Sequence, residues 1–75
     1  MTLNLHEVGK KALIKKYTSQ SSALSRLMEM GLLENTEIYL AHKSPFGGTL
    51  AVETRGSTIA LRSSEAESIE IEVLP

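Results

Sequence analysis

The side chains that could do chemistry in this 75-residue chain are few and poorly grouped. Two histidines, His6 and His42, and nine glutamates are its whole supply of imidazole and carboxylate ligands, and cysteine is absent. His6 is followed at once by Glu7, and neighbours on an extended chain point to opposite sides, so the pair does not converge on one ion. His42 falls at the end of an alternating run, where an exposed position is expected. Neither belongs to an HxxE, HxH or HxxxH arrangement of the kind that gathers ligands around a metal. The pattern favours two solvated histidines over two ligands.

Catalytic arrangements fare no better. Serines are numerous, but none lies in a GxSxG turn, and most sit where caps and turns use a hydroxyl. Gly47-Gly48 lacks the further glycines and the lysine of a phosphate-binding loop. Glu70 and Glu72 share one face of an alternating run. Repeated charge of that kind reads as the solvated side of an edge strand, which discourages aggregation. With no thiol, a cysteine nucleophile, a thiolate zinc site and an iron–sulfur cluster fall together. The expectation is a non-enzymatic chain with no cofactor that acts by binding something larger.

Composition narrows the partners. The chain is 41% hydrophobic and 23% charged with a formal net charge of −1, which suits a globular domain and not a disordered one. Lys10, Lys11, Lys15 and Lys16 form a local basic cluster without interleaved aromatics. A nucleic-acid partner would call for a basic excess, which is missing. No stretch approaches a membrane span, and the start lacks the apolar run of a signal peptide. The expected arrangement is one domain over residues 1–75, in the cytoplasm, without direct membrane insertion. At this length only about 60–65% of the unfolded surface can be buried, so nearly every aliphatic residue is needed for the core.

The elements that must position these residues can be read from periodicity. Gly9 to Tyr17 is a first strand, with Ala12 and Ile14 alternating with Leu13 and Lys15. Thr18 to Ser22 offers hydroxyls as helix caps. Ala23 to Met30 is a helix with Leu24, Leu27 and Met28 on one face, ended by Gly31. Leu32 and Leu33 continue as an apolar plug. Glu34-Asn35 turns the chain into a strand from Glu37 to His42. Ser44 to Gly48 is a loop, and Thr49–Thr54 and Ser57–Leu61 form a hairpin about Arg55-Gly56. Ser64 and Glu67 have the spacing of a capping box around a short helical turn. Ile69 to Val73 alternates strictly and closes the fold. Five short strands, one helix and one helical turn describe a mainly β, small barrel.

Three stretches stand in register: Arg26-Leu27-Met28-Glu29-Met30-Gly31-Leu32, Ser44-Pro45-Phe46-Gly47-Gly48, and Ile59-Ala60-Leu61-Arg62 followed by Glu65-Ala66-Glu67-Ser68-Ile69. In this order and spacing, from about Leu5 to Val73, the chain resembles the FeoA family, the bacterial ferrous iron transport protein A. The resemblance implies a five-stranded SH3-like barrel with one inserted α-helix and a short helical turn before the last strand. It also implies a cytoplasmic, non-enzymatic accessory protein of ferrous iron uptake. Its implied partner is the FeoB-type permease, through that protein's cytosolic GTP-binding part or its membrane part. The same fold unit closes iron-dependent repressors. An alternative reading is therefore a regulatory SH3-like module that binds a protein partner in trans; the length of the chain, without a helix-turn-helix half, favours FeoA.

A partner surface is expected on the helix and the following loop: Arg26, Glu29, Met30, Pro45, Phe46, Gly47 and Gly48. Phe46, the only phenylalanine, is expected to plug the barrel end ahead of standing out as an anchor. Met30 is either an exposed flexible spot or folded beneath Leu32. Arg55 and Arg62 could pair with the acidic last strand, with solvated arginines as the default. Edge strands leave a homodimer open as a possibility.

Overall fold

A computed structural model describes all 75 residues. A 3-10 turn at Leu3–Leu5 precedes β1 (Lys11–Tyr17), α1 (Ser22–Glu29), β2 (Glu37–Lys43), β3 (Thr49–Thr54), β4 (Ser57–Arg62), α2 (Ser63–Ala66) and β5 (Ile69–Val73). The five strands form one antiparallel sheet in the order β4-β3-β2-β1-β5. The extents of the whole chain, 27 × 26 × 24 Å, are nearly equal, in keeping with a sheet that coils around its core instead of lying flat. The ladder stays open between β4 and β5, the two strands that α2 connects.

Each strand sends alternate residues inward, as period-2 geometry requires. Ala12 and Ile14, Ile38 and Leu40, Leu50 and Val52, Ile59 and Leu61, and Ile69 and Ile71 are all buried. Leu3, Leu24, Leu27, Leu32 and Ala66 complete the cluster from outside the sheet. Burying one such Leu or Ile contributes about 1.5–3 kcal/mol, and so small a cluster has none to spare.

The turns follow local chemistry. Ser21 caps α1, its Oγ accepting the Leu24 N–H at 3.1 Å. At the other end Gly31 takes φ +116°. Its N–H donates to Met28 O at 3.0 Å and that of Leu32 to Leu27 O at 3.1 Å, the paired bonds of a Schellman ending. The β3–β4 hairpin turns through Arg55 (φ 48°) and Gly56 (φ 81°), a type I′ turn matched to strand twist.

Beyond shifts of one residue at the ends of α1, β2 and β4, three details differ from the reading of the sequence. β1 begins at Lys11, not Gly9, because Gly9 takes φ +87° and breaks the extended run. Only Leu32 plugs the core: Leu33 is 51% exposed. The helical turn before β5 is capped at Arg62, two residues earlier than Ser64. It is Glu65, not Glu67, whose carboxylate reaches back, accepting the Arg62 N–H at 2.8 Å.

Candidate functional site

His6 is not solvated. It is 1% exposed, and its Nε2 lies 3.0 Å from the Lys10 carbonyl oxygen. The 3-10 turn just before it, closed by the His6 N–H donating to Leu3 O, rolls the ring inward where an extended chain would have left it outside. His6 therefore ties the N-terminal segment to the start of β1. His42 is exposed on β2. No three His or Glu side chains converge in a geometry that could hold a metal ion.

The acids of β5 are held by neighbours other than the arginines. Glu70 Oε1 lies 2.8 Å from the N-terminal ammonium and Glu72 Oε1 3.5 Å from Lys15 Nζ. The hydrogen bond from that ammonium holds the Glu70 carboxyl below its ordinary range against an opposing desolvation, with the ammonium's charge and Lys16 adding to the lowering. Arg55 and Arg62 make no ion pair.

Phe46 is fully exposed, at 100%, and plugs nothing. The loop that carries it is tied on both sides. Ser44 Oγ accepts the Gly48 and Thr49 N–H groups at 2.9 and 3.2 Å, and the Gly47 N–H donates to Ser44 O at 3.0 Å. Gly47 makes the bend possible with φ +76°. From the far side Ser63 donates twice, its N–H to Gly48 O at 3.1 Å and its Oγ–H to Gly47 O. A loop tied this way holds Pro45 and Phe46 outward while its polar backbone is satisfied within the protein.

The helix residues join the same framework. Arg26, Glu29 and Met30 are exposed, Met30 at 44%, so it is not folded beneath Leu32. Arg26 Nη1 donates to Met30 Sδ at 3.5 Å, and Arg26 Nη2 lies 3.8 Å from Glu65 Oε2. Glu65 thus bonds α1 through one oxygen and the end of β4 through the other, while Ser63 of the same short helix holds the Phe46 loop. The four-residue α2 is what links the two stretches. Residue type gave no sign of this link, because Arg62 is not one of the Ser, Thr, Asp or Asn caps that make such a spacing readable.

Tyr17 is the other aromatic of note. Its hydroxyl donates to Leu32 O at 2.7 Å, and burial pushes the phenol up to about 12. A second apolar region, also unforeseen, is a groove of about 640 Å³ walled by Met1, Leu5, Tyr39 and Val73, with His6 in its lining.

Comparison with known proteins places this geometry. Residues 1–73 match the family model described as FeoA domain. A Campylobacter jejuni protein provisionally described as Fe(2+) transport protein A is 34% identical over 74 residues, covering 99% of this chain and 100% of that protein. The NMR structure of a FeoA-like protein from Clostridium acetobutylicum superposes with a TM-score of 0.88 at 36% identity, over 100% of this chain and 87% of that one. FeoA of Stenotrophomonas maltophilia, solved in complex with zinc and described as a procaryotic SH3 domain protein, gives 0.79 at 29% identity over 96% and 89%. A manganese-dependent transcriptional repressor shares the fold alone, with 18% identity, a TM-score of 0.83 and cover of 97% and 36%.

Proposed function

This chain belongs to the FeoA family of ferrous iron transport proteins, and we propose that it works there as a non-enzymatic cytoplasmic adaptor for the FeoB-type permease. The contact surface in this reading is Phe46 with Pro45, Gly47 and Gly48 on the loop, and Arg26, Glu29 and Met30 at the end of α1. The observation that carries it is the fully exposed phenylalanine on a loop tied by five hydrogen bonds. A thin core has every reason to recruit its only phenylalanine, and exposing a large ring to water is unfavourable. A ring presented on a pre-organised loop serves as an anchor for a partner pocket, and little ordering entropy is lost on docking.

Ferrous iron is the cargo of the system in this reading and not a group held by this chain, whose His and Glu side chains do not converge. Regulation follows from the partner's state. A small domain can steady, stimulate or gate a permease only by binding one of its conformations more tightly than another.

The test is binding of the purified chain to the full-length permease and to its isolated GTP-binding part, with and without ferrous iron and with each nucleotide. Saturable binding that weakens about tenfold or more in Phe46→Ala or Met30→Ala supports the adaptor. Absence of micromolar binding in every state overturns the assignment of the partner. Capture of a DNA-binding protein through the same loop would instead bring forward the regulatory reading, which rests on fold likeness alone.

A further inference from the structure

We infer that the outer edge of β4 is a docking edge for an extended, acidic segment of a protein partner, which adds to the sheet as a sixth strand. This inference is independent of the adaptor reading, since it uses neither Phe46 nor α1. β4 is the terminal strand of the sheet, paired only with β3. Two bonds fix which way its amides point. The Ser63 N–H donates to Gly48 O at 3.1 Å, extending the ladder in which Thr54↔Ser57, Val52↔Ile59 and Leu50↔Leu61 are opposed. Ser57, Ile59 and Leu61 therefore turn their backbone groups toward β3. The Arg62 N–H turns away, and Glu65 accepts it at 2.8 Å. By the alternation of an antiparallel pair, Thr58 and Ala60 also point their N–H and C=O groups outward. No protein group meets them, and both residues are exposed.

The edge is thus free for two outward-facing residues and stopped at one end by Glu65. Between Ser57 and Leu61 its side chains give no protection. Edge strands are normally blunted by charge, proline or a bulge. Here Thr58 and Ala60 are small, and the β3–β4 register runs without a shift.

Charge decides the occupant. Arg55 lies in the turn at one end of the edge and Arg62 at the other, both exposed and neither in an ion pair. Glu53, opposite Thr58 on β3, offsets part of this charge, and Glu65 is engaged by Arg26. A second copy of the chain fits poorly. Antiparallel pairing that satisfied both residues would set Thr58 against Ala60 of the second copy. Arg62 would then face Gly56 beside Arg55 of that copy, and the same like-charge approach would recur at the other end. An extended segment with a carboxylate near each end meets both arginines with opposite charge, while backbone bonds to Thr58 and Ala60 supply the pairing.

The experiment is a titration of the uniformly 15N-labelled full chain with the blocked peptide Ac-Glu-Val-Thr-Val-Glu-NH2, followed by amide chemical shifts and solvent exchange. Saturable shifts centred on Thr58 and Ala60, with a dissociation constant of about 1 mM or tighter, are expected. Slowed exchange of those two amides should accompany them. The Arg55→Gln/Arg62→Gln double variant, which leaves the ladder intact, should bind about tenfold more weakly, as should the peptide with Lys in place of Glu. Ala60→Pro removes one outward N–H without touching the bonds to β3 and should abolish the response. Shifts confined to other residues, or equal binding of the lysine peptide to the wild type, overturn the proposal. Shifts of Thr58 and Ala60 that grow with protein concentration alone would assign the edge to a second copy and overturn it as well.

Discussion

At the β5 edge of the sheet, the Met1 carbonyl accepts the Ile71 N–H at 2.8 Å and Thr2 bridges to Glu70. At the β4 edge, Thr58 and Ala60 offer the same groups to water. The covered edge also carries Glu70 and Glu72, held by the N-terminal ammonium and Lys15, and it is closed off by the buried His6 that ties the N-terminal segment down. The bare edge carries two unpaired arginines and leads through Ser63 into the exposed Phe46 loop. One sheet therefore has a side whose interactions are internal and a side whose interactions are left for others. Residues of similar chemistry should matter for stability on the first side and for binding on the second.

The sharpest way to break this comparison is to place proline on each edge. Ile71→Pro loses the bond to Met1 and a buried side chain, and should cost about 4 kcal/mol or more in urea denaturation. Ala60→Pro should cost under about 1 kcal/mol. Equal costs would mean that the bare edge is not bare. Next, His6→Ala should lose about 2–3 kcal/mol through the lost bond and the space left by the ring. Hydrogen exchange at Ile71 should speed up while that at Leu61 follows global stability only.

Tyr17→Phe comes third, at about 1–2 kcal/mol, because the Leu32 carbonyl loses its donor. Its pH signature is specific. The folded-state value is raised from 10.0 to about 12, so the stabilisation is complete below pH 10.0 and is lost as the pH climbs from there through about 12. Stability of the wild type should fall across that window more steeply than that of Tyr17→Phe. A smaller effect is expected at Glu70, whose value is depressed below 4.5. That contribution is present above pH 4.5 and is lost as the pH falls below it, so Glu70→Gln should flatten the acid limb, and added salt should do the same. Smallest of all is Phe46→Ala, within about 0.5 kcal/mol of wild-type stability. A large loss there would show that Phe46 is packed against the core and would remove the adaptor surface.

Much of the architecture was legible along the chain, because strand and helix periods act over a few neighbouring residues. Leu24 and Leu27 marked the buried face of α1, Gly31 its ending, Arg55-Gly56 the hairpin, and Ile38 and Leu40 the inward face of β2. The site residues were legible only as candidates. Arg26, Glu29, Met30 and Pro45 to Gly48 all prove exposed, yet Phe46 was expected inside. Its exposure depends on Ser44 and Ser63 tying the loop from two distant points, and Ser63 lies 16 positions from Gly47. His6 erred in the opposite sense, since its burial depends on a carbonyl four residues on and on the 3-10 turn before it.

The sequence by itself determined which residues alternate, where caps and left-handed glycines stop each element, and that no thiol or GxSxG nucleophile motif exists, because these are properties of residue type and short spacing. Only the tertiary structure decided which edge of the sheet is covered, that α2 links α1 to the Phe46 loop, and which acids find which cations. Those outcomes depend on contacts such as Met1 with Glu70, 69 positions apart, whose partners are chosen by how the sheet coils and not by any local preference.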